Sequence, residues 1–220
     1  MSHSPSRVVL ITGGSRGLGR NAALALAADG ADILLTYRSR ADAADAVVAQ
    51  IQALGRRAAA LPLDMADSAG FADTTPAQFD ELVAVHLKGP YFLTQALLPL
   101  IADGGRILNV SSGLARFSLP GSSAYAMMKG GIEVFSRYLA RELGARGISA
   151  NTLAPGAIET DFGGGHVRDN ADINAMVAGN TALGRAGQPD DIGPVVAALL
   201  SPRTAWINAQ RVEASGGMFV

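Results

Sequence analysis

The sequence predicts a doubly wound α/β fold, with one parallel sheet covered by helices on both faces in a single domain spanning residues 1–220. Three observations predict it. Short apolar runs alternate with stretches whose apolar residues recur at helical spacing. The first of those runs leads straight into a glycine-rich turn. With 220 residues, 49% of them hydrophobic, the chain suits one large core better than two small ones.

The elements follow in order. Residues 8–11 read as a buried strand, 18–28 as an alanine- and leucine-rich helix closed by Gly30, and 32–37 as the next strand. Residues 42–54 carry helical periodicity up to Gly55, and 57–63 form a third strand. Thr75 can cap a helix that begins at Pro76, with Gln78 completing a capping box, and this helix runs on towards Leu100. Then come a strand at 106–110, a long helix at 122–143 and a strand at 148–153. A glycine-rich irregular stretch follows at 158–183, then a helix at 189–200 and a last strand at 208–213. Strands alternating with helices require right-handed crossovers and hence parallel pairing.

Composition excludes several classes. A net charge of −1 with no basic stripe argues against nucleic acid as a partner. No apolar run is long enough to span a membrane, and none resembles a secretion signal at the start, so the expected location is cytoplasmic. Cysteine is absent, which rules out disulfides and cysteine–zinc sites; no metal is expected. Only two lysines occur, Lys88 and Lys129, so each invites a reason.

The turn after the first strand reads Thr12-Gly13-Gly14-Ser15-Arg16-Gly17-Leu18-Gly19. In a Rossmann-type unit this is where bare backbone and a helix N-terminus receive a pyrophosphate. Gly13 permits the tight turn, Gly17 the approach of phosphates, and Gly19 the close packing of helix on strand. No Gly-Lys-Ser/Thr follows, which excludes a P-loop ATPase. At the end of the second strand stands Tyr37-Arg38-Ser39-Arg40, where an NAD site usually places a carboxylate. Arg38, with Arg16 in the turn, suits a 2′-phosphate, so NADP(H) is favoured over NAD(H). Two solvated surface arginines would read the same way.

Tyr125 and Lys129 lie four residues apart on the long helix and share a face. An ammonium beside the phenol favours the phenolate and brings its pKa of ~10 towards the working range. Ser112, just past the strand at 106–110, is placed to hydrogen-bond a substrate oxygen, with Ser111 as competitor.

The turn at 12–19, Asn109-Val110-Ser111-Ser112, the Tyr125/Lys129 pair thirteen residues beyond Ser112, and Asn151 with Pro155-Gly156 together resemble the classical short-chain dehydrogenases/reductases over essentially the whole chain. The resemblance implies a carbonyl/alcohol oxidoreductase, similar to the 3-oxoacyl-carrier-protein reductases, acting on a small molecule. It implies Tyr125 as acid/base, Ser112 as carbonyl binder and Lys129 as holder of the nicotinamide ribose. It further implies Asp64 and Met65 at the adenine, and Pro155, Gly156, Ile158 and Thr160 along the nicotinamide. The stretch 158–183 would form a substrate lid, with His166 and Arg168 as polar contacts, and the chain would assemble as a homotetramer or homodimer.

Two departures stand out. Where the family has a catalytic asparagine, this chain has His86, which could hold the same relay water because imidazole both donates and accepts. A histidine packed at a helix interface is the other reading. The family also has a helix and a strand between the third strand and the helix at Pro76, and residues 64–75 are too few for them. That strand would lie between the first strand and 106–110, so its loss would leave a gap of ~9.6 Å with unpaired backbone on both sides. Either a segment is left out of the sequence, between Asp67 and Phe71, or the chain is truncated and closes around the defect, or it is an inactive, non-catalytic dinucleotide-binding homologue.

Overall fold

The computed structural model describes residues 7–62 and 71–220. All strand ladders in it are parallel. The elements are β1 (Val8–Ile11), α1 (Gly17–Ala28), β2 (Asp32–Tyr37), α2 (Ala41–Ala53), β3 (Ala58–Pro62), α3 (Pro76–Val83), α4 (Gly89–Leu97), β4 (Arg106–Val110), α5 (Ser123–Glu142), β5 (Ser149–Pro155), α6 (His166–Asp169), α7 (Ala171–Gly179), α8 (Pro189–Leu199) and β6 (Arg211–Ala214). The fold class is parallel α/β of Rossmann type, as anticipated. Among the described residues, however, the strands form two three-stranded sheets rather than one, ordered β1-β2-β3 and β4-β5-β6.

The described chain divides into two compact units. One comprises 7–62, 158–177 and 186–198; the other comprises 71–157, 178–185 and 199–220. In the first, α1 and α2 bury Leu26, Val47 and Ile51 with Ile33 and Leu35 of β2. Asp32 enters β2 buried, yet it is held by Arg56 and Arg57 at 2.9 and 2.7 Å, so its charge is compensated. In the second, Leu139, Ala140 and Leu143 of α5 pack on Ile148 and Ala150, while Met128 packs on Leu82 of α3. The capping box is present: Thr75 accepts from Gln78 N at 3.3 Å, and Gln78 Oε1 accepts from Thr75 N at 2.9 Å.

β5 is buried at every residue, whereas no residue of β4 is. Among the described residues β4 pairs only with β5, and β1 only with β2. Parity fixes which groups are left over. Gly105 O accepts from Ser149 N and Ser111 N donates to Leu153 O, so odd-numbered residues of β4 face β5. Leu108 and Val110 therefore aim their N–H and C=O away from β5, towards an edge without a strand among the described residues.

The stretch expected to be irregular holds two helices, α6 and α7. The Asn170 carboxamide accepts from Asp172 N and Ile173 N at 3.0 and 3.1 Å, starting α7 where glycine content had suggested a loop. Among the described residues no helix is long and apolar enough to cross a membrane.

Candidate active site

The glycine turn belongs to the first unit. Gly13 and Gly17 have φ of +69° and +52°, the left-handed region that side chains resist. Gly13 N donates to Thr36 Oγ1 at 3.1 Å and Gly14 N to Thr36 O at 2.8 Å, hooking the turn onto β2. A Cβ at Gly19 would lie 2.2 Å from the Gly13 carbonyl, so only glycine lets α1 start this close to the turn. Arg16 precedes α1 in an extended conformation and gives no side-chain cap, and no acid occupies the first turn. The first N–H groups of α1 thus have no side-chain oxygen as cap, as an anion site requires.

Ser15 is buried in this turn, Leu18 is half-buried, and Thr160 Cβ stands 3.4 Å from where a Gly17 Cβ would be. Ile158 bridges to Gly187. Tyr37 closes β2, followed by exposed Arg38 and Ser39. Arg16 was expected to face a phosphate; its guanidinium lies 3.7 Å from Asp161, an exposed pair held only weakly. Arg168, read as a lid contact, is bound to Asp161 and Asp169. Asp64 and Met65 lie outside the described residues.

His86, Ser112, Tyr125, Lys129, Pro155 and Gly156 belong to the second unit. The two serines separate clearly. Ser111 is buried, its hydroxyl 2.7 Å from Glu133 Oε1 and 3.2 Å from the Lys129 carbonyl. Ser112 Oγ accepts from Leu114 N at 3.2 Å, which leaves its proton for another acceptor. Asn109 of β4 donates to Ser136 on α5 at 2.9 Å, helping to seat that helix. Gly156 passes against Ser215, where a Cβ would come within 2.8 Å.

Tyr125 and Lys129 share the inner face of α5, but not as the sequence suggested. The Lys129 amine stands 5.3 Å from the Tyr125 ring centroid and donates to the Val110 carbonyl at 3.0 Å. The Val110 carbonyl faces the edge of β4 that carries no strand among the described residues, and the amine is its donor there. The expected fall in the phenol pKa is not found. Burial pushes Tyr125 up to about 12 and pulls Lys129 down to about 8. Desolvation outweighs the attraction of an amine whose hydrogen bond goes elsewhere.

His86 is buried in a π-helical turn, Ala84–Lys88, between α3 and α4. Such turns recur at functional positions. Its ring meets Tyr125 edge-on, 5.3 Å between centroids at 86°. Burial, with the nearby Lys129 charge, lowers its pKa to about 4, so it is neutral at neutral pH.

Sequence reasoning missed Glu133, Arg211 and Glu213. Arg211 Nε donates to Glu133 Oε1 at 2.7 Å, its Nη1 to Glu213 Oε2 at 2.7 Å, and its Nη2 to the Ser112 carbonyl at 3.2 Å. A signal existed: Glu133 lies four residues past Lys129 on the same face, and β6 carries two charges in Arg211-Val212-Glu213. A cavity of about 210 Å³ is lined by Leu114, Leu119, Pro120, Ser122 and Ala126 among others.

A left-handed glycine turn before an uncapped helix, and serine, tyrosine and lysine gathered at the end of a parallel strand, are the features of a nucleotide-dependent α/β oxidoreductase. Residues 7–74 match the family model for short chain dehydrogenase, and residues 65–219 the model for enoyl-(acyl carrier protein) reductase. The chain belongs to the short-chain dehydrogenase/reductase family.

An uncharacterised oxidoreductase of Methylorubrum extorquens is 32% identical over 249 positions, covering 99% of this chain and 100% of the relative. Tetrahydroxynaphthalene reductase PfmaG of Pestalotiopsis fici is 34% identical, covering 98% and 93%. Among solved structures, the promiscuous reductase LugOII, which catalyses keto-reduction in lugdunomycin biosynthesis, superposes with a TM-score of 0.92 at 32% identity, covering all of both chains. The angucycline C-6 ketoreductase LanV with bound NADP gives 0.90 at 30% identity, covering 97% and 95%. The Methylorubrum alignment sets 249 positions against at most 220 residues of this chain, so at least 29 positions (249 − 220) have no counterpart here.

Proposed function

We propose that the chain is an NADP(H)-dependent reductase interconverting a carbonyl and an alcohol on a small, polycyclic aromatic molecule. The observation that carries this reading is the Lys129–Val110 bond, which fastens α5, with Tyr125 four residues away, to the end of β4 two residues before Ser112. A ring ketone as substrate is supported by the angucycline C-6 ketoreductase LanV, and a polycyclic aromatic one by tetrahydroxynaphthalene reductase PfmaG as well. The acyl-carrier reading draws support from one family model alone.

The residues present fit the cofactor. A Cβ position at Gly13 meets nothing within 4 Å, α1 has no side-chain cap, and β2 ends in Tyr37-Arg38-Ser39 without an acid. Gly13, Ser15, Gly17, Leu18 and Gly19 would hold the pyrophosphate; Arg16 and Arg38 the 2′-phosphate, Arg16 leaving its weak pair with Asp161; Asp64 and Met65 the adenine; and Pro155, Gly156, Ile158 and Thr160 the nicotinamide. NADPH, when bound, supplies the hydride. Ser112 keeps its proton and donates a hydrogen bond to the substrate oxygen, stabilising the charge that grows there. Tyr125 delivers a proton from its hydroxyl to the same oxygen. Lys129 leaves Val110 for the ribose, and His86, neutral, holds the water through which the lysine is resupplied. We place this activity in the cytoplasm. Assembly as a homodimer or homotetramer is part of the same reading, supported by the exposed Tyr91, Phe92, Val134 and Tyr138 on α4 and α5.

A second reading, a dinucleotide-binding homologue without turnover, is favoured by the raised phenol pKa. One screen separates the two. NADPH absorbance is followed over a panel of aromatic and aliphatic ketones, with NADPH binding measured by fluorescence on the same protein. Ketone-dependent oxidation establishes the reductase; binding with no oxidation of any ketone establishes the second reading; absence of binding removes both.

A further inference from the structure

Beyond the catalytic trio, the second unit contains a charge network that the proposed reaction leaves unexplained. Glu213 of β6 accepts four hydrogen bonds: Arg116 Nε and Nη2 at 2.8 and 2.7 Å, Arg211 Nη1 at 2.7 Å and Ser215 Oγ at 2.8 Å. That fills the acceptor capacity of one carboxylate. Arg116, three residues past Gly113, also donates to the carbonyls of Met218 at 2.7 Å and Phe219 at 3.1 Å. The same tail pairs with the end of the lid stretch, through Ala182 N to Gly217 O, Leu183 N to Gly216 O and Phe219 N to Asn180 O. Met218 is buried there.

Two routes lead from this hub to Ser112. Through Arg211, the guanidinium binds Glu213, Glu133 and the Ser112 carbonyl itself, and Glu133 in turn binds Ser111. Through Arg116, the tail brings the Phe219 ring to 4.7 Å from the Phe117 ring, whose edge fills the space a Cβ on Gly113 would need, 2.7 Å away. Ser112 is thus held from its own carbonyl and from the residue that follows it. None of this is needed to keep β6 in place, since its backbone pairs with β5.

We propose that Glu213 is a positioning residue that joins the C-terminal tail, 216–219, to the Ser112 loop, so that the tail sets where the carbonyl-binding hydroxyl stands. This rests on the reductase reading for its effect on turnover, but not for the coupling itself. Two guanidiniums and two carboxylates balance, and the exposed fraction of the Arg211, Glu133 and Glu213 side chains is 22%, 13% and 18%. A half-satisfied network of that burial is worse than none, so removing the hub must release both arms together. Glu213, held at about 2 chiefly by its bonds from Arg116, is charged throughout the working pH range.

The test is Glu213→Gln, with Arg116→Lys as a second variant that keeps charge but loses the fork, in the full chain. Hydrogen exchange by mass spectrometry is read on 111–117, 180–183 and 216–219, alongside NADPH affinity and ketone kinetics. Glu213→Gln is expected to speed exchange in all three segments together, with Arg116→Lys intermediate. The ketone KM should rise and kcat fall by about tenfold while NADPH affinity holds, as misplacement of a binding group predicts. Faster exchange confined to 211–219, or unchanged ketone kinetics in a variant with a loosened 111–117, would overturn the proposal. If the wild type oxidises NADPH with no ketone, the reductase reading fails while the exchange pattern still decides the coupling.

Discussion

β4 and β5 are neighbours in one sheet and both mix polar with apolar residues, yet β5 is buried throughout and β4 nowhere. The difference is one of neighbours: among the described residues β5 has a strand on each side, and β4 has one. Side chains that look towards β5 and β6 are fully engaged, with Ser111 on Glu133 and Arg211 on the Ser112 carbonyl. On the other side, the backbone of Val110 takes its hydrogen bond from Lys129, the amine that the proposed chemistry would use elsewhere. A backbone carbonyl left without a ladder partner takes the nearest strong donor, whatever that donor's other use. The built half of the site and the bare edge meet at one lysine.

The largest expected effect tests the built half. Tyr125→Phe removes the proton donor and should lower kcat by roughly 10²–10⁴-fold with NADPH affinity kept; turnover within threefold, on the order of the scatter such comparisons carry, would transfer the role to another group. The next effect probes the edge. Lys129→Met leaves the Val110 carbonyl without its donor, which should destabilise the fold by about 1–3 kcal/mol in denaturant unfolding as well as abolishing turnover. An unchanged unfolding midpoint would show that water serves Val110 equally well.

The smallest effect is a slope with pH. His86 titrates at about 4 in the fold against an ordinary 6.5. Between those values the unfolded chain takes up a proton that the folded chain refuses, so stability falls as pH drops from 6.5 towards 4. His86→Asn should flatten that part of the melting-temperature profile. His86→Ala carries the relay idea: a kcat loss below about tenfold with the pH profile unchanged would end it.

Most of the fold was legible because its signals are local. Val8–Ile11, Asp32–Tyr37 and Arg106–Val110 were bounded to the residue by glycine and charge, and the Thr75/Gln78 box marked its helix. α7 escaped because one Asn170 side chain starts it, against a glycine-rich background. At the candidate site, the shared helix face of Tyr125 and Lys129 was readable from spacing, whereas the Lys129 hydrogen bond was not. It depends on which edge of β4 lacks a partner, a property of pairing across the sheet that no local pattern encodes. The Glu213 hub was hidden for the same reason, since Arg116 and Glu213 are 97 residues apart.

The difference between the two strands can be read amide by amide. Hydrogen exchange resolved to single residues by NMR should find Leu108 and Val110 weakly protected, on the order of tenfold or more below Ile107, Asn109 and the amides of β5. Equal, strong protection at all five positions of β4 would mean that a strand lies along that edge after all, and that Val110 has no need of the lysine.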